Sequence, residues 1–369
     1  MPAPPPTPPC HPSTASPRGR AGGWLGFGCD VRSIVYDQTG DLDVLRLLER
    51  PEPQPGPGEV LVRVAVSGVN PTDWKSRKGT GPGQPLTFPL MVPNQDGAGT
   101  VVDVGAGVDR GRIGHRVWIW EAAWQRAEGT AQELVVLPNG QAVPLPDQAS
   151  FDLGASLGIP ALTAHRCLTV GAEFADSLGP GALSGRTVLV AGGAGAVGHA
   201  AIELAVWADA TVLTTVSSPE KEHLALAAGA HHVINYRTGD PAAAIREVAP
   251  GGADLIVEVA PVANAALNQE VLARNGTVAV FASGTQDLAI RVRPAMVANA
   301  RYQFVLVYTV PEPAKQRAVH DVRTAVAAGA LRVGAQAGLP LHRFTLERTA
   351  DAHAAVENNT VGKVLIDVG

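Results

Sequence analysis

Residues 187–207 read TVLVAGGAGAVGHAAIELAVW, and this stretch decides the fold. An apolar run of strand length, TVLVA, meets a glycine-rich turn and then a segment with helical spacing. Gly193, Gly195 and Gly198 place G-x-G-x-x-G at that junction. Glycines there allow a pyrophosphate to come close to free N–H groups at a helix N-terminus. A turn that merely packs helix on strand is the competing reading, and the strand–turn–helix setting weighs against it.

Downstream, the next strand runs TVLTTV and ends in SSPEK, residues 217–221. NAD-specific folds carry an acid at this point to hold both ribose hydroxyls. Here Ser217 and Ser218 occupy the tip and Lys221 follows one helical turn on. Hydroxyls with a cation suit a 2′-phosphate, so NADPH is expected over NADH. Tyr236 and Arg237, after the third strand, would close the same pocket. Glu220 and Glu222 flank Lys221 and leave a solvated helix face as the plainer reading. DLIVEVA, TVAVFA and QFVLVYT extend the strand series with helical stretches between them. Continuous apolar strands alternating with helices predict a parallel sheet covered on both faces.

Upstream, from Ser33 to about Phe151, short strands such as EVLVRVAVSGV and HRVWIW are punctuated by Pro and Gly turns. That pattern predicts an all-β, barrel-like unit. Beyond Pro311 come a helix, mixed strand signals, a second helix and a closing strand, KVLIDV. The expected class is α/β, a doubly wound sheet inserted into a β-barrel domain. The expected division is 1–30 tail, 31–158 first part of the catalytic domain, 159–310 dinucleotide domain and 311–369 return segment. The tail is rich in Pro, Gly, Ser and Ala, has little to bury, and is expected to be disordered. It lacks the apolar core of a secretory signal, and Val31 stands as a candidate initiator.

Composition narrows the function. The 369 residues are 46% hydrophobic and 17% charged, the balance of a globular protein with a full core. A net charge of -5 with scattered basic residues disfavours nucleic acid. No apolar run reaches membrane-spanning length. Cys10, Cys29 and Cys167 are too few for a four-cysteine zinc lobe or a disulfide framework. A reducing cytoplasm is expected. Only five of the 29 basic residues are lysines, which makes each of them worth inspection.

Several separate stretches, in order, then carry a resemblance: VNPTDWKSRKG (69–79), NQDGAGTVVDVGAGV (94–108), LGIPALTAHRCL (157–168), AGGAGAVG (191–198), SSPEKEHLALAAGAHHVINYR (217–237) and VGKVLIDV (361–368). Together they resemble the quinone oxidoreductase, zeta-crystallin-like branch of the medium-chain dehydrogenase/reductases, collinear from about Val31 to Gly369. The resemblance implies a GroES-like catalytic domain with an inserted Rossmann domain and a cofactor in the cleft between them. It also implies a homodimer that extends the Rossmann sheet through the QFVLVYT region. Residue by residue, it implies Asn70 and Asp73 at the nicotinamide end, with Thr163 near the carboxamide. Gly195, Ala196 and Val197 would cradle the pyrophosphate, Ser217, Lys221 and Tyr236 the adenosine phosphate, and Phe281 and Ser283 would line the cofactor. Plainer readings are a turn residue for Asn70, a helix-capping acid for Asp73 and a helix-face hydroxyl for Thr163.

The chain departs from the branch at Trp74, Lys75 and the glycine-rich TGPGQPL, where tyrosines are common, so the substrate pocket is altered. His165 and His115 also replace commoner residues. His165 is a candidate proton donor or a packed helix histidine, and His115 a loop residue. Zinc-dependent relatives place a cysteine near Asp73 and Gly-His-Glu near residues 94–96, where this chain reads Asn94, Gln95 and Asp96. A metal-free reaction is therefore expected: hydride transfer from NADPH to a quinone or another α,β-unsaturated carbonyl. An enoyl-thioester reductase, with Lys75, Arg77 and Lys78 as a basic rim, is one alternative. A non-catalytic NADPH-binding role is another.

Overall fold

The computed structural model describes residues 30–171, 173–284 and 286–369. The tail expected over residues 1–30 thus lies, apart from Asp30, outside the described residues. Strands β1 (Asp30–Val35) and β2 (Arg46–Pro51) form an antiparallel outer hairpin. The first unit then adds β3 (Glu59–Val69), α1 (Pro71–Lys78), β4 (Asp96–Val104), β5 (Arg116–Ile119), β6 (Leu134–Pro138) and β7 (Ala142–Pro144). Helices α2 (Phe151–Gly154) and α3 (Gly158–Leu168) lead out of it.

The second unit alternates strand and helix: β8 (Thr187–Ala191), α4 (Ala196–Trp207), β9 (Thr211–Val216), α5 (Pro219–Ala227), β10 (His232–Asn235) and α6 (Pro241–Val248). It continues with β11 (Ala253–Glu258), α7 (Ala265–Val271), β12 (Leu272–Val280), α8 (Val292–Ala298) and β13 (Arg301–Phe304). All neighbouring pairs are parallel, in the order β10-β9-β8-β11-β12-β13. Such a sheet reverses direction beside its first strand and opens a crevice at the carboxyl ends there. Side chains alternate across it. Val188 and Val190 of β8 pack towards α3 and α4, while Leu189 joins Leu213 and Ile256 on the opposite face.

The chain then returns through α9 (Glu312–Ala327), β14 (Leu341–Thr345), α10 (Thr349–Glu357) and β15 (Lys363–Asp367). Strand β15 lies between β14 and β3, so the C-terminus completes the first unit's sheet. The two units are tied together near that return. Tyr308 Oη donates to Thr72 Oγ1 at 3.0 Å and its ring stacks on Trp124, with centroids 4.3 Å apart.

One strand signal is realised only in part. QFVLVYT is strand to Phe304, after which Val305, Val307 and Tyr308 turn into the core and Val307–Thr309 form a 3-10 turn. The apolar run belongs partly to an edge strand and partly to the packing beneath it.

Candidate active-site cleft

A cavity of about 420 Å³ lies between the two units, at the crevice the sheet order creates. Its middle is the glycine turn. Gly195 is the N-cap of α4, and no side chain caps that helix end. The first N–H groups of α4 are therefore free to meet an anion. The three glycines do different work. A Cβ on Gly193 would sit 2.2 Å from Thr214 Oγ1, and one on Gly198 2.4 Å from the Gly192 carbonyl oxygen. Both glycines serve close packing of turn, strand and helix. A Cβ on Gly195 would meet only ordinary contact, at 3.4 Å. Gly195, Ala196, Val197 and Gly198 line the cavity, together with Gly192. Gly193 is not among its walls.

At one end, Lys221 Nζ donates to Ser217 Oγ at 3.0 Å, and Tyr236 stands half-exposed beside them. Ser218 is otherwise engaged: its hydroxyl is the N-cap of α5, accepting from the Lys221 amide. Arg237 is exposed and does not reach the cavity wall.

At the other end, Asn70 follows β3 and opens α1. Its Nδ2 donates to Asp96 Oδ2 at 2.7 Å, and its Oδ1 accepts from Lys363 Nζ at 2.7 Å. Asp96 also accepts from the Ile159 amide at the start of α3, at 2.9 and 3.0 Å. Gly158 makes that approach possible, since a Cβ there would fall 2.1 Å from Asp96 Oδ1. Asp73 lies beneath this layer, outside the cavity wall, with its Oδ2 accepting the Asn70 amide at 2.7 Å. It is the capping-box acid of α1. Burial, and then the charge of Asp96, push Asp73 up to about 8.

Phe281 lines the cavity, whereas Ser283 is exposed and apart from it. Thr163 is buried on α3, one turn beyond the cavity-lining Ile159 and Pro160. His165 turns away: its Nε2 lies 2.8 Å from Asp321 Oδ2 and pins α3 to α9. His115 is an exposed loop residue. Of the expected basic rim, Lys75 stays exposed, whereas the other two members are paired. Arg77 is buried, donating to the Gly40 carbonyl and pairing with Glu357 at 3.2 Å, and Lys78 pairs with Glu357 at 2.6 Å.

With this geometry in view, two family models match the chain. An alcohol dehydrogenase GroES-like domain covers residues 56–147, and a zinc-binding dehydrogenase domain covers residues 196–328. Human quinone oxidoreductase is 28% identical over 343 residues, covering 91% of this chain and 97% of the relative. The chain thus carries both domains of the medium-chain dehydrogenase/reductases and is quinone oxidoreductase-like. The synaptic vesicle membrane protein VAT-1 homologue of Rattus norvegicus is 31% identical over 274 residues, 73% of this chain. The match spans 63% of that relative's length. Among solved structures, a mycobacterial quinone oxidoreductase is 27% identical, with a TM-score of 0.75 over 91% of this chain and 99% of its own. A mycobacterial protein solved in complex with NADPH is 26% identical, with a TM-score of 0.74 over the same shares. Among the described residues, no helix is long and apolar enough to cross a membrane.

The name of one matched domain raises the question of zinc. Zinc takes Cys, His or carboxylate ligands. At the Asn70 end the polar groups are an amide, the Asp96 carboxylate already bonded to two N–H donors, the Asp73 carboxylate capping α1, and an ammonium 3.7 Å from Asp96. Among the described residues no three His, Cys, Asp or Glu side chains gather to hold a metal. A cation of the chain itself occupies this place, and the donor set does not suit a zinc ion.

Sequence reading passed over Lys363 and Asp96 as site residues. For Lys363 a signal existed: it is one of five lysines and sits in an otherwise apolar closing strand.

Proposed function

We propose that this chain is an NADPH-dependent, metal-free oxidoreductase that passes hydride to a quinone or another α,β-unsaturated carbonyl. The observation that carries the reading is the uncapped α4 N-terminus, floored by Gly195 and flanked by Ser217 and Lys221 on one side and Asn70 on the other. The free N–H groups would hold the pyrophosphate of a dinucleotide and Lys221 its 2′-phosphate. The names of the relatives and the NADPH-bound neighbour support the same cofactor and acceptor class.

Bound NADPH would supply the hydride. The chain's own work is positioning and electrostatics. Lys221 and Ser217 discriminate for the phosphate. Gly195, Ala196 and Val197 would hold the pyrophosphate, and Phe281, which lines the cavity, would flank the cofactor. Asn70 offers hydrogen bonding at the reacting end, where negative charge develops on the acceptor oxygen, and a proton from water completes the product. The pairing of Arg77 and Lys78 with Glu357 speaks against an enoyl-thioester substrate held by a basic rim. Side-by-side turnover of 9,10-phenanthrenequinone and crotonyl-CoA tests the acceptor class: quinone reduction is expected, and preference for the thioester would overturn it.

We also propose a homodimer through the β13 edge of the sheet. Phe304 and Leu306 at β13, the last strand of the sheet, and Val292, Met296 and Val297 of α8, the helix leading into it, are all exposed apolar residues. An exposed edge strand with such residues is a surface that proteins cover.

A further inference from the structure

Lys363 is 1% exposed, lines the cleft, and has no part in the cofactor contacts proposed for Gly195, Ser217 and Lys221. Its position follows from strand register. β15 runs antiparallel to β3 with Val364 opposite Val69, which brings Lys363 opposite Asn70. The neighbouring Gly68 is tightly enclosed: a Cβ there would lie 2.0 Å from the Ala155 carbonyl oxygen and 3.2 Å from Lys363 Cε. The ammonium can only donate, and the Asp96 carboxylate can only accept. Between them the Asn70 amide has one permitted orientation, Oδ1 on Lys363 and Nδ2 on Asp96. An amide nitrogen carries two hydrogens. Asp96 takes one, and the second remains for another acceptor.

We propose that Lys363 is a positioning residue for hydride transfer, locking the Asn70 amide so that its second N–H serves the reacting end of the cleft. This rests on the functional reading above, in which Asn70 stands at that end. The rival role is simple neutralisation of buried Asp96, 3.7 Å from the ammonium. The two roles differ in how variants combine.

The experiment measures kcat with NADPH and 9,10-phenanthrenequinone, NADPH Kd by fluorescence, and Tm. It compares wild type, N70A, K363M and N70A/K363M. N70A and K363M are each expected to lower kcat roughly 10- to 100-fold through lost orientation, with little change in NADPH Kd. In the N70A background, K363M is expected to add less than about twofold, because it acts through the missing amide. Because K363M alone strands a buried carboxylate, K363M/D96N is included. There an amide oxygen still accepts from Asn70, and Tm is expected to recover while kcat does not. Losses that multiply in the double variant, or kcat that returns with Tm in K363M/D96N, would overturn the positioning role. Absence of quinone turnover in wild type would instead overturn the functional reading on which it stands.

Discussion

At the scale of single residues, cofactor choice and protonation are the readable properties. Lys221 meets Ser217 at 3.0 Å in the cleft, so removing its charge should weaken the phosphate-bearing cofactor selectively. Lys221→Ala is expected to raise the NADPH Kd roughly 10- to 100-fold while leaving the NADH Kd within about twofold. Fluorescence titration of both cofactors checks it, and equal losses would remove the phosphate role. Asp73 gives a pH signature. Burial and the neighbouring Asp96 charge push it up to about 8, so the folded chain holds its proton more tightly than the unfolded one. The resulting stability is complete below the unfolded value, near pH 4, and is lost as pH rises through about 8. Tm should therefore fall over that window, and Asp73→Asn, a mimic of the protonated acid, should flatten the fall. An unchanged slope would contradict the assignment. Ser217 and Lys221 were legible because the second strand of this fold ends at a known functional place. Lys363 stood out as a lysine in an apolar strand, but its place beside Asn70 was not legible, because only the pairing of a C-terminal strand with β3 brings it there.

At the scale of elements, the glycine turn separates packing from binding. Gly198→Ala drives a Cβ to 2.4 Å from the Gly192 carbonyl oxygen, a backbone atom with little room to yield. A destabilisation of about 1–3 kcal/mol is expected, read by denaturant melts. Gly195→Ala meets only a 3.4 Å contact and should cost less than about 1 kcal/mol at a helix cap. Its methyl group faces the cleft instead, and NADPH affinity should drop at least about tenfold, equivalent to 1.4 kcal/mol. If both variants lost stability equally, the division of labour drawn here would be wrong. The strand–turn–helix unit was legible as a whole, since G-x-G-x-x-G has local causes. The separate tasks of its glycines were not, because Gly193 is constrained by Thr214 on a different strand. Likewise QFVLVYT reads as one apolar strand, and its break after Phe304 depends on the core that receives Val305 and Val307.

At the scale of the whole molecule, the α/β class, the inserted dinucleotide sheet and the flanking β unit follow from strand and helix alternation in the sequence. The interlock does not. Return of β15 to the side of β3, and the Tyr308–Thr72 and Tyr308–Trp124 contacts, join segments more than 180 residues apart. The proposed dimer belongs to this scale. Phe304 on the edge strand and Met296 on the helix before it are each 63% exposed, so a Met296→Lys, Phe304→Glu double variant should halve the mass seen by light scattering. A wild-type monomer, or a variant dimer, would count against that surface. The most direct measurement is NADPH oxidation followed by absorbance, with 9,10-phenanthrenequinone as acceptor, run beside NADH and beside an EDTA-treated sample. Turnover that prefers NADPH and survives EDTA is the predicted result; turnover abolished by EDTA and restored by zinc, or bound NADPH that reduces no acceptor, would contradict it.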